Sequence, residues 1–207
     1  VEAFELMKRI GVEFVLKHIP DTREPLDSTP PWYVLIELVS GEPGGAEAGM
    51  ERLLTAAFEA GLITDAAIAQ NDAQRAAFWK MREEQSAAQK PEGGGWKHDV
   101  SVPVSRIADF LDEATAAVEL FHPGARVSAF GHVGDGNFHV IVLVDPDNVK
   151  EMEEAAWISL RVLERAIALE GTCTGEHGIG IGKRIYLLTE HGEAAVEIIR
   201  SLKLALD

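Results

Sequence analysis

Two histidines, His132 and His139, stand seven positions apart in GHVGDGNFH (131–139), separated by glycines and an aspartate that can turn a chain. If residues 125–132 and 137–144 pair as a hairpin about VGDG, the rings fall near cross-strand positions, where opposed Cβ atoms lie roughly 4.5–5.5 Å apart. Such a pair supplies half of a four-coordinate metal site and requires a carboxylate or thiolate to extend it. GEHGIG (175–180) offers the carboxylate: Glu176 sits beside His177 between Gly175 and Gly178, where backbone can approach a ligand closely. Neighbouring side chains on an extended segment point opposite ways, so Glu176 can face a metal while His177 faces another partner, as a base beside the metal. Either histidine taken singly is more simply a packing residue. Asp135 and Asn137 read as turn formers, and Cys173 as a small buried thiol.

A second constellation is cationic. Arg82 and Ser86 stand four apart on an expected helix and share a face, while Lys97 opens the next strand after a glycine loop. Together they can form a pocket for a carboxylate, which Arg82 would bind through two N–H groups. The simpler reading is a solvated face, because Arg82 is followed by two glutamates and helical arginines so placed usually make surface ion pairs.

The elements that must position these groups follow from periodicity. Residues 2–19 have helical spacing and run into PDTREPLDSTPP (20–31), with four of the nine prolines. WYVLIELVS (32–40) reads as a buried strand, residues 45–61 as a helix closed by Gly61, LITDAAIA (62–69) as a second strand, and 71–89 as a helix opened by Asn71 or Asp72. KHDVSVPV (97–104) alternates like a strand, and 105–121 is a helix with Ser105 as N-cap. The strands 125–132 and 137–144, a helix over 148–170, a glycine-bearing loop (171–182) and a helical pair (183–190 and 192–207) complete the order. This order predicts an α+β fold of ferredoxin-like arrangement: a mostly antiparallel sheet with helices packed on one face, plus C-terminal helices.

Composition bounds the partners. Among 207 residues, 34 Asp and Glu outweigh 19 Lys and Arg, giving a net charge of −15 that repels nucleic acid and anionic lipid. An anionic substrate must then be drawn in by a few local cations. The single cysteine permits no intrachain disulfide and suits a reducing cytoplasm, and the apolar runs are too short to span a bilayer. The uncapped helical ends read as a fragment of a longer chain.

GHVGDGNFH (131–139) and GTCTGEHGIGIGK (171–183) together resemble the C-terminal domain of the FAD-linked oxidases of the vanillyl-alcohol oxidase superfamily, whose branches include D-lactate dehydrogenase, the glycolate oxidase subunit and D-2-hydroxyglutarate dehydrogenase. WYVLIEL, MREEQS and WKHDVSVPV extend the resemblance over residues 1–207, as one substrate- and metal-binding domain without its FAD-binding partner domain. It implies a flavoenzyme oxidising a small D-2-hydroxy acid, with His132, His139 and Glu176 at the metal-ligand positions, His177 at the position of the base, and Arg82, Ser86 and Lys97 where the substrate carboxylate is held. The implied cofactors are FAD and a divalent metal, zinc before iron or manganese. The implied partners are the acid and an electron acceptor such as a cytochrome, a quinone, an electron-transfer flavoprotein or oxygen, with a homodimer as an option and the membrane reached only through that acceptor. The hydroxyglutarate branch has an asparagine two residues after the second motif histidine, and here Ile141 stands there, which suits a small apolar tail such as that of D-lactate. No glycine-rich dinucleotide loop follows a strand, so the chain alone is expected to be inactive and without flavin. Two histidines and a glutamate also suit a hydrolytic zinc centre or a non-catalytic metal-binding module.

Overall fold

Five antiparallel strands in the order β2-β1-β4-β5-β3 form the frame of the protein in a computed structural model that describes residues 1–145 and 147–207. The strands are β1 (Ala3–Lys8), β2 (Trp32–Glu37), β3 (Gly94–Ser101), β4 (Arg126–His132) and β5 (Asn137–Val144). The helices are α1 (Arg9–His18), α2 (Gly45–Glu59), α3 (Asp72–Glu83), α4 (Gln85–Ala88), α5 (Ile107–Phe121), α6 (Val149–Ala168) and α7 (Leu187–Leu206). This is the α+β class with an antiparallel sheet and C-terminal helices that the element order predicts. None of the helices is long and apolar enough to cross a membrane, among the described residues.

Strand β5 is buried at nearly every position rather than at alternate ones, so both of its faces need cover. On one face Val100, Val127, Ala129, Phe138, Val140 and Val142 pack with α5 and α6 through Phe110, Val118, Ile158 and Val162. On the other, Met7, Phe130, Ile141 and Leu143 meet Val12, Phe14 and Val15 of α1, Met81 of α3 and Ala88 of α4. Helices therefore also cover part of the second face, and the remainder of that face carries the polar residues of interest.

Several local expectations are corrected. Residues 2–19 are not one helix: AFELMK forms β1, because pairing with β2 and β4 outweighs a helical reading of a short apolar run. LITDAAIA (62–69) forms no strand; its β-formers have no ladder partner, and β1 takes the place in the sheet assigned to it. β2 lies at the sheet edge and is only partly buried. The helix expected over 71–89 breaks at Glu84 into α3 and α4, although Asn71 caps it as expected by accepting from the Gln74 N–H at 3.0 Å. Ser105 is not an N-cap, since it lies inside a 3₁₀ turn (Val104–Arg106) that precedes α5. The strand expected over 97–104 starts and ends three residues earlier.

Candidate active site

Register places the site. In an antiparallel sheet, paired residues and every second residue along a strand share a face. Glu5, His132, Asn137 and Ser101 make one such row across β1, β4, β5 and β3, and Met7, Phe130, His139 and Asp99 make the next. His132 and His139 therefore share a face but are diagonal rather than opposite, because His132 pairs with Asn137 and His139 with Phe130. The four-residue turn Val133–Gly136 is the expected VGDG turn, and closing it pairs His132 with Asn137, so His139 lies two positions further along β5 than a facing partner would.

The loop 171–182 brings the third group. It is tied to β3 by the bridge between Ser101 and Thr172, with N–H to O distances of 3.0 and 2.7 Å. His139 Nε2 lies 3.2 Å from Glu176 Oε1, His177 Nε2 lies 3.4 Å from the same oxygen, and the two rings stand 5.5 Å apart. Donor atoms of His139, Glu176 and His177 all fall within 4.8 Å of one another, and this is the group of possible metal donors found among the described residues. His132 stands outside that group, in the neighbouring row, with Nδ1 2.7 Å from Glu5 Oε1. Burial holds the His139 imidazole below its ordinary range, against the pull of Asp99 and Glu176. Two imidazoles beside a carboxylate are a donor set that a divalent cation takes, so these residues fit the metal that the family resemblance implies.

Asp99 is the residue that the sequence reading missed. It is buried on β3; Oδ1 accepts from Asn137 Nδ2 at 2.9 Å, Oδ2 accepts from the His177 backbone N–H at 2.7 Å, and Oδ1 stands 3.8 Å from His139 Nδ1. Its backbone carbonyl accepts from Lys183 Nζ at 2.7 Å. Gly175, at φ +46°, passes so close that a Cβ there would sit 2.0 Å from the Asp99 carboxylate, so glycine is required where the loop crosses the strand. Asn137 is thus more than a turn former. The signal available in the sequence was an isolated acid inside an alternating strand, KHDVSV, which must find partners if it is buried.

Glu5 is the second missed residue, and it involves the cationic constellation. Arg82 is buried on α3, donates from Nε to Glu5 Oε2 at 2.7 Å and lies over the Phe130 ring, 4.8 Å from its centroid. It is therefore part of the site face rather than a solvated helix surface. Ser86 is exposed on α4, beyond the break at Glu84, so the shared helical face with Arg82 does not exist. Lys97 is exposed on β3, paired with Ile141 and two residues from Asp99 on the same face. With Gln89, Gly95, Ile141 and Leu143 it lines a small cavity of about 70 Å³. A larger one, about 440 Å³, lies at the opposite end of the hairpin by Glu92 and Arg126 and is lined by neither Arg82 nor Lys97 nor any of the donor residues. Cys173 is buried, its thiol pushed up to about 12 by burial and by Glu190, and it takes no part in the donor group.

The family described as FAD linked oxidases, C-terminal domain, matches residues 1–207. The chain belongs to that family. Among similar proteins, a probable mitochondrial D-lactate dehydrogenase from Danio rerio is 38% identical over 70% of this chain and 29% of its own length. The mitochondrial D-lactate dehydrogenase [cytochrome] of Kluyveromyces lactis is 42% identical over 66% of this chain and 23% of its own length. The D-2-hydroxyglutarate dehydrogenase of Xanthomonas citri pv. viticola is 34% identical over 100% of this chain and 43% of its own length. The chain of this family member thus spans less than half of these relatives. The expected cytoplasmic location is overturned by the mitochondrial names of the first two. A lone cysteine separates reducing from oxidising compartments, and does not separate one reducing compartment from another.

Proposed function

We propose that this chain is the substrate- and metal-binding part of a flavin-dependent D-2-hydroxy acid dehydrogenase, with D-lactate as its substrate. The observation that carries the reading is the convergence of His139, Glu176 and His177 on a sheet face that also presents Arg82, His132 and Lys97, in a member of this family. His139 and Glu176, joined by His132 from the neighbouring row of the same face, would hold a divalent cation, with zinc ahead of iron or manganese. A bound cation supplies Lewis acidity that makes a coordinated hydroxyl more acidic. A flavin held by another part of the protein would accept hydride from the substrate C2 and pass the electrons on to an acceptor.

This chain's residues perform the remaining work. Arg82 keeps both Nη groups for the substrate carboxylate while Nε is occupied by Glu5, Lys97 on the same sheet face as Asp99 adds a second cation in a chain of net charge −15, and Ser86, neutral and exposed on α4, would add at most a hydroxyl donor. His177 takes the hydroxyl proton at Nε2 as hydride leaves C2, giving the 2-oxo acid and an imidazolium beside Glu176. Asp99 fixes the backbone of His177 and stands behind His139, so the base and its neighbour keep their separation. Ile141, buried between Lys97 and Ser128 in the sheet, supports a short apolar substrate tail over one ending in a second carboxylate.

The test is to express the full-length protein and screen D- and L-2-hydroxy acids with an artificial electron-accepting dye, with and without chelator. Oxidation of D-lactate that chelator abolishes is expected; failure of every 2-hydroxy acid would overturn the proposal. Residues 1–207 expressed alone are expected to be colourless and inactive, and a yellow, dithionite-reducible product would contradict that.

A further inference from the structure

Glu5 is a buried carboxylate with both oxygens committed. It pairs in register with His132 across β1 and β4, is 4% exposed, and places Oε1 2.7 Å from His132 Nδ1 and Oε2 2.7 Å from Arg82 Nε. A carboxylate offers only acceptors, so His132 donates from Nδ1, and in the neutral ring that a metal takes the Nε2 lone pair is then the remaining ligating atom. The same carboxylate occupies the Nε side of the guanidinium, so only the Nη1/Nη2 edge remains for bidentate capture of an anion. No other carboxylate contacts Arg82 or His132 among the described residues.

We propose that Glu5 is a positioning residue that sets two groups at once: it selects the Nδ1–H tautomer of His132 and it selects the edge of Arg82 that meets substrate. The proposal rests on the reading of the site given above and deepens it. The hydroxyl end of a 2-hydroxy acid, which a cation on His132 would hold, and its carboxylate end, which Arg82 would hold, would then both be positioned by one side chain of β1. The alternative is a buried ion pair with a purely structural role. Such pairs are weak evidence for net stabilisation, whereas carboxylates behind ligating histidines raise ligand basicity and fix ring orientation.

The test uses full-length protein carrying Glu5→Gln or Glu5→Asp, labelled with ¹⁵N-histidine, with the His132 resonances assigned by their loss in His132→Gln. In the wild type without added metal, Nδ1 is expected to carry the proton and Nε2 to be bare. In Glu5→Gln this preference is lost, and affinity for added Zn²⁺ measured by calorimetry falls on the order of 10–100-fold. KM for the acid rises by a similar factor, because Arg82 is no longer restricted to one edge. Glu5→Asp keeps a charge in the same place, so it covers the case in which Glu5→Gln fails to fold; its shorter arm cannot span both partners, and at least a roughly 10-fold loss of Zn²⁺ affinity is expected. Unchanged tautomer and unchanged Zn²⁺ affinity in either folded variant, with only a lower Tm, would overturn the proposal. The tautomer and metal readings need no turnover, so they decide the role of Glu5 even if no 2-hydroxy acid proves to be a substrate.

Discussion

Acidification should destabilise the fold through one histidine on the opposite face of the sheet from the donor group. His98 lies on β3, on the face covered by α6, and is 3% exposed; Nδ1 donates to the Val140 carbonyl at 2.9 Å and Nε2 accepts from the Ser159 hydroxyl at 2.8 Å. Burial, reinforced by the nearby Lys183 charge and opposed by the Val140 hydrogen bond, pushes its pKa from 6.5 down to about 4. The folded value is lower than the unfolded one, so between these limits the unfolded chain binds the proton and the folded chain does not. Stability is fully present above pH 6.5 and is lost as pH falls towards about 4. At about 1.4 kcal/mol per pKa unit, the contribution lost between about pH 7.5 and about pH 4.5 is about 2–3 kcal/mol. Urea unfolding followed by fluorescence of the four tryptophans measures it. Other groups also titrate over this range, so the quantity read is the pH effect in the wild type minus that in His98→Gln, in which the ring is gone. If the two proteins lose the same free energy on acidification, His98 is not held neutral by the fold and the reasoning fails.

Two further outcomes bear on the turn and on the loop. Gly136→Ala should lower Tm by about 4–8 °C, corresponding to about 2 kcal/mol in a chain of this size, because φ is +74° and the added Cβ would sit 1.9 Å from the Val102 carbonyl oxygen. Gly134→Ala, in the same turn with open space around it, should leave Tm within about 1 °C, and equal shifts for both would refute this account. Asp99→Asn removes one of two accepted hydrogen bonds at a buried site, a loss of about 2 kcal/mol. Hydrogen exchange at the His177 amide should then quicken roughly 30-fold, and an unchanged rate would show that Asp99 does not hold the loop.

The sequence by itself determined the α+β class, the hairpin and the motif residues His132, His139, Glu176 and His177, because glycines at turns and periodic apolar residues act locally, within a few positions along the chain. It misjudged β1, since AFELMK becomes a strand only by pairing with β2 and β4, the latter more than a hundred residues away. It also placed the two histidines opposite each other, although closing the expected VGDG turn pairs His132 with Asn137, and from spacing alone it favoured a solvated face for Arg82, which only the family resemblance put at the substrate carboxylate, because helical spacing does not show what packs above a helix. Only the tertiary structure decided that Glu5 and Asp99 stand behind the histidines. Glu5 lies 127 residues from His132, and Asp99 lies 78 from His177. A buried carboxylate and its partner are matched by charge and distance in space, a relation that leaves no period and no motif along the chain.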